Sequence, residues 1–160
     1  MSKNPSEREE SDEERLNREL DQLLNELRVA MPGVQILFAF LLAIPFQQRF
    51  AQVSEFQEQV YFVTLLAAAA TSALFIAPVA YHRLVFRARD KPHLIKLSSR
   101  FALAGLVALA IAMNGAVLLV TDLLFETTTV AVTIAMTAML FCVLWFAIGL
   151  RRRLGDQQSH

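Results

Sequence analysis

The chain has 160 residues, 55% of them hydrophobic, and a mean hydropathy of +0.42, which is high for a soluble domain of one domain's length. Its single cysteine, Cys142, excludes an intrachain disulfide and any zinc-type cysteine spacing. Fifteen Lys and Arg balance fifteen Asp and Glu, but the zero net charge hides a strong separation along the chain.

Residues 1–10 (MSKNPSEREE) are polar and are expected to be disordered. Ser11 followed by Glu14 is a capping-box pattern, and Asp12, Glu13 and Glu14 suit the positive end of a helix dipole. Leu16, Leu20, Leu23, Leu27 and Ala30 then recur at spacings of 4, 3, 4 and 3, with Leu24 widening the stripe. The pattern predicts an amphipathic helix over 12–31, supported by Glu14–Arg18 and Arg15–Glu19 pairs and ended near Met31 by Pro32 and Gly33. The stripe has three readings: packing on the protein's own cytoplasmic surface, lying at the membrane interface, or a short coiled coil. Fewer than three heptads disfavour the coiled coil, and an acidic face disfavours anionic lipid, so protein contact is preferred.

Four apolar segments follow. Three are uncharged runs, Val60–Tyr81 (22 residues), Phe101–Thr121 (21) and Thr127–Leu150 (24), each above the ~20 residues that cross a hydrocarbon core. The first is weaker, its apolar run being Val34–Phe46; it spans if Gly33 and Arg49 sit at the two headgroup layers, since 17 residues reach about 25 Å. A soluble or interfacial helix is the alternative for that segment. The spans are placed at about 33–49, 60–81, 100–121 and 128–150, so the chain divides into a cytoplasmic region 1–32, a four-helix domain 33–150 and a basic tail 151–160. No short apolar stretch with a small-residue cleavage site opens the sequence, and the first span is expected to act as an uncleaved anchor. Pro45 should kink or unwind the first span near its outer end. Phe50, Val53 and Phe56, interleaved with Gln and Glu, suggest a short interfacial stretch beyond it. In the third span Ala104, Ala108, Ala112 and Ala116 lie four apart beside Gly105 and Gly115, a ladder that lets helices approach closely in lipid. The short turn 122–126 makes spans three and four an antiparallel hairpin, and Tyr81 and Trp145 fall near one headgroup level.

Charge sets the orientation. Residues 1–32 carry five basic and nine acidic side chains, 82–100 six basic against Asp90, and the tail Arg151, Arg152 and Arg153 against Asp156; the two connections on the other side hold only Arg49. Fourteen bases on one face against one on the other place both termini in the cytoplasm. The basic stretch 82–100 needs no nucleic acid to explain it, because orientation of the flanking spans is a sufficient cause. The acidic face of helix 12–31 is expected to dock on that loop.

Candidate chemistry is sparse. None of the four apolar runs contains Asp, Glu, Lys, Arg or His, which counts against a proton-coupled mechanism. Asn114 is the most polar side chain deep in a span, and reflection through the turn at 124–125 sets it opposite residue 135, between Thr133 and Thr137. An Asn–Thr hydrogen bond as structural glue is the preferred reading; lining a polar pathway with Thr64, Thr71 and Ser72 is the other. His82, Arg83 and Arg87 face the cytoplasmic headgroups, either as an orientation signal and anchor or as a headgroup, phosphate or pH-sensing site. Cys142 reads as a small apolar filler. No nucleophile elbow, phosphate loop or dinucleotide fingerprint occurs, so no cofactor, metal or catalytic residue is expected.

The stretch LRVAMPGVQILFAFLLAIPF (Leu27 to Phe46), followed by AP-x-x-x-HR-x-x-FR (Ala77 to Arg87), resembles a family of small uncharacterised bacterial membrane proteins. The resemblance implies a four-span protein in a bacterial inner membrane; such proteins are often labelled sodium:proton antiporters automatically, a label the uncharged spans do not support. The expectation is an all-α, four-span, non-enzymatic structural or accessory component. Its partners would be the bilayer and a second copy or another membrane protein. A small oligomeric ion or solute transporter is the alternative.

Overall fold

The structure, a computed structural model, describes the backbone of residues 5–85 and 91–147 and most side chains from Glu14 to Trp145. All regular structure among the described residues is helical: α1 (Pro5–Ala43), α2 (Glu55–Val85), α3 (Lys91–Leu124) and α4 (Thr127–Phe141), which continues as a wider π-helical turn over Cys142–Ala147. Four of these stretches are long and apolar enough to cross a membrane, Asp21–Phe46, Glu55–Tyr81, Leu97–Leu124 and Thr127–Trp145, and the protein is a multi-pass membrane protein. The tail 151–160 lies outside the described residues.

The largest departure from expectation is in α1. It does not stop at Met31 but runs unbroken for 39 residues through Pro32. The reason is periodic. Beyond Ala30 the stripe continues in phase at Val34, Leu37 and Leu41, so an interruption would turn the second half of the packing face away from its partners. Leu27, Val34 and Leu41 are buried, whereas Pro32 and Gly33 lie on the exposed side. Packing along the stripe thereby offsets the ~3 kcal/mol that proline costs a helix interior. The helix also opens at Pro5, not at Ser11, so residues 5–10 expected to be disordered are helical; proline suits a first helical turn because it has no N–H to leave unpaired. The first span accordingly starts before Pro32. Leu23, Leu27, Ala30 and Met31 pack with Phe75 of α2 and with Ala102 and Leu106 of α3, inside the spanning lengths of those helices. Of the two expected polar pairs, Arg15 Nε donates to Glu19 Oε1 at 3.0 Å, while Glu14 and Arg18 form no ion pair.

α2 and α3 are the most closely packed pair, antiparallel, with α1 against both. Two glycines set the distance. A methyl group at Gly105 would overlap the ring of Phe75, and one at Gly115 would overlap Thr64 Oγ1. Ala112 and Ala68 are fully buried in the same core, whereas Ala104 is exposed, so the small-residue seam is Gly105, Ala112 and Gly115, not the alanine ladder as a whole. α4 packs on α3 alone; among the described residues it meets neither α1 nor α2. Phe40, Phe62, Met136 and Met139 stay exposed on the outside, which suits hydrocarbon and not water.

The end of the bundle where α1 turns into α2 and α3 into α4 is here called the distal end. The opposite end carries the last turn of α2 and the start of α3.

Candidate functional site

Pro45 organises the distal end. Having no N–H, it leaves the Leu41 carbonyl without its helical donor, and α1 gives way at Ala43 to a 3-10 turn over Ile44–Phe46. The unwinding expected there is what occurs. Tyr61, buried on α2, donates its hydroxyl to that Leu41 carbonyl at 3.0 Å and so closes the gap. A second 3-10 turn, Gln48–Gln52, brings Phe50 edge-on to Tyr61 with ring centroids 5.1 Å apart. α2 is then started by a reciprocal cap: Ser54 N–H donates to Gln57 Oε1 at 3.0 Å and Gln57 N–H to Ser54 Oγ at 3.2 Å. The Gln57 amide also donates to Asp122 Oδ2 on α3 at 2.8 Å, tying the first hairpin to the second. Pro45 and the Ser54-x-x-Gln57 pattern are the sequence signals for this assembly; the second is a readable capping box that hydropathy alone passes over.

Midway along α3, Asn114 and Thr137 meet. Thr137 Oγ1 lies 2.7 Å from Asn114 Oδ1, with the Thr133 and Ile134 carbonyls farther at 3.0 and 3.2 Å. A hydroxyl has one proton to give, and the shortest contact takes it. Asn114 Nδ2 donates to the Ala110 carbonyl of its own helix at 2.9 Å, which fixes the amide orientation. Thr133 comes near the pair only through its backbone carbonyl, which competes for the same proton at the longer distance. Thr64, Thr71 and Ser72 each donate to the carbonyl four residues back, at 2.6, 2.8 and 3.1 Å. Asn114 and Thr64 border one cleft, but Thr71 is fully buried in the helix packing.

That cleft, about 640 Å³, lies between α2 and α4 over the surface of α3. Its walls include Val60, Val63, Ala110, Ile111, Ile134 and Ala138, and Cys142 lines its edge. Cys142 is exposed there, so it is not the packed filler the sequence suggested. His82 and Arg83 fall on the last turn of α2 with side chains outside the described set, and Arg87 lies outside the described residues. Ser98, buried near the start of α3, has a hydroxyl with no partner among the described residues, away from both assemblies.

The model of a family of unknown function, DUF6328, matches residues 9–149, nearly the whole described chain. The chain belongs to that family. No curated protein and no solved structure matches it. The matched stretch takes in all four spans together with most of the N-terminal part of α1, so the distal assembly and the Asn114–Thr137 pair both lie within the family's domain.

Asn114→Ala should lower the stability of the α3–α4 hairpin by about 1 kcal/mol, with a coupling to Thr137→Val of ~0.6 and at most about 2 kcal/mol. A double-mutant cycle in detergent unfolding measures it. Additive single effects would show that the hydrogen bond carries no energy.

Proposed function

We propose that this member of DUF6328 is a non-enzymatic component of the bacterial cytoplasmic membrane that works by self-association, with both termini on the cytoplasmic face. The observation that carries the reading is the stand-off of α4 from α2, which leaves an uncovered apolar cleft at membrane depth. The polar groups of the spans support it, because the hydroxyls of Thr64, Thr71, Ser72 and Thr121 and the amide of Asn114 donate to carbonyls of their own helices. Helices in lipid associate by close packing of small and branched side chains, and Val60, Val63, Ala110 and Ala138 offer such a surface.

The chain carries its own reporter. Cys142 is the sole cysteine and sits on the cleft edge, so a short bismaleimide in native membranes should capture a dimer through it. Ala138→Trp and Ala110→Trp, which fill the cleft, should abolish that dimer. Monomer alone under every condition would turn the reading toward a different membrane-protein partner. Saturable, sodium-dependent proton movement in proteoliposomes above empty vesicles would replace it with transport. Orientation has its own measurement: reporters after Gln52 and at Thr127 should read as outside, and those at Lys91 and Gln157 as cytoplasmic. A cytoplasmic signal at Gln52 would overturn the assignment.

A further inference from the structure

We propose that the distal end holds a binding site for an amphipathic organic cation, one ammonium or phosphonium centre carried on an apolar body. The site is a cavity of about 520 Å³ between the 3-10 turns, the start of α2 and the last turns of α3. That volume is in the range of small-molecule sites, ~300–1,000 Å³. It lies on the α1 side of the α2–α3 seam and shares no lining residue with the cleft, so it stands or falls independently of self-association.

Its walls divide by chemistry. Leu119, Leu123 and Val53 give it an apolar lining, Phe50 and Tyr61 an aromatic one, and Gln47 and Gln48 carry carboxamides at its mouth. The Tyr61 hydroxyl is committed to the Leu41 carbonyl, and Phe50 sits edge-on to the Tyr61 ring, so both rings are held in place. Aromatic faces attract cations within about 6 Å, best where water is excluded.

The field points the same way. Two helix C-termini converge on the cavity: α1 ends beside it at Ala43, and Leu119, Val120, Leu123 and Leu124 of the α3 terminus line it. Each end carries roughly half a negative charge. Neither has a basic residue in its last turn to neutralise it. The N-terminus of α2 would oppose this field, but the Gln57 N–H of its first turn is capped by Ser54 Oγ and its dipole is countered by Glu55 and Glu58. Asp122 adds a carboxylate held against the wall by Gln57. By sequence, residues 44–59 and 119–127 carry four acids, Glu55, Glu58, Asp122 and Glu126, against one base, Arg49. The balance draws cations in and keeps anions out. An apolar and aromatic lining then selects an organic cation over a hydrated metal ion, which needs several oxygen ligands.

Two ions of one shape and opposite sign separate charge recognition from simple greasiness. The purified full chain in phosphatidylcholine nanodiscs is to be titrated with tetraphenylphosphonium and, in parallel, with tetraphenylborate, each against empty nanodiscs. Tetraphenylphosphonium should bind saturably, one per chain, and tetraphenylborate, titrated separately, should show no saturable binding above empty nanodiscs. Leu123→Trp and Val120→Trp, which fill the cavity from exposed positions, should weaken binding about tenfold or more. Asp122→Asn should weaken it about fivefold and lessen its dependence on salt. Equal binding of both ions, absence of saturable binding, or unchanged affinity in both tryptophan variants with unchanged melting temperature would overturn the proposal.

Discussion

Gly115→Ala is expected to lower the stability of the folded protein by about 1–3 kcal/mol, the range for overpacking a tight contact. The added methyl would occupy the place of Thr64 Oγ1, and Thr64 is itself 1% exposed on α2 with its hydroxyl bonded to Val60, so it has nowhere to turn. Gly105→Ala should cost at least as much, because the intruding atom meets the ring of Phe75, which is 1% exposed. Gly33→Ala is the internal control. Nothing lies within 4 Å of a Cβ there, and the residue is inside α1, so alanine should be neutral or stabilising by up to about 1 kcal/mol. Thr64→Ala in the Gly115→Ala background should restore most of the loss. It cannot restore all of it, since the new methyl still meets the residue-64 Cβ at 3.0 Å. Reversible unfolding in mixed micelles, read by far-UV circular dichroism, measures the series. Equal costs at all three glycines, or no recovery in the double variant, would mean that α2 and α3 are not held together by this seam.

The spans themselves were legible because hydrocarbon demands length and apolarity, which a sequence states directly. The Asn114–Thr137 contact was legible for a related reason: a short turn fixes the register of a hairpin, so reflection through residues 124–125 finds the partner. Pro32 misled because a local rule was preferred to a phase. The 4-3 spacing from Leu23 to Leu41 already showed one uninterrupted face, and tertiary packing along it overrides the proline. The Tyr61–Leu41 bond was out of reach. It depends on the relative height of α1 and α2, which two 3-10 turns decide and no periodicity records. The stand-off of α4 from α2 was equally silent, because a helix facing lipid needs no polar side and its apolar residues do not separate a lipid-facing side from one that meets a second helix. The docking of the N-terminal acidic face on the loop 82–100 falls largely outside the described residues. On the apolar side of the same helix, Leu23 and Leu27 pack among Phe75, Ala102 and Leu106.

Tyr61→Phe is expected to cost about 1–3 kcal/mol although it removes a single oxygen, because it strands the Leu41 carbonyl in an apolar interior. Leu41 is 2% exposed and Tyr61 8%, so the carbonyl depends on the hydroxyl and not on bulk water. The cause of the cost lies four residues away. Pro45 has no N–H to offer Leu41, and the phenol stands in for that donor. Pro45→Ala supplies the missing N–H and lets α1 extend, so in that background Tyr61→Phe should cost no more than about 0.5 kcal/mol. The coupling between two residues that do not need to touch is therefore the signature, and a double-mutant cycle reads it. Amide exchange sharpens the test: in the protein carrying both Pro45→Ala and Tyr61→Phe, the backbone N–H gained at position 45 should be protected by its bond to the Leu41 carbonyl. A Tyr61→Phe cost that is the same with proline or alanine at position 45 would show that the hydroxyl serves packing alone and that the carbonyl has another donor.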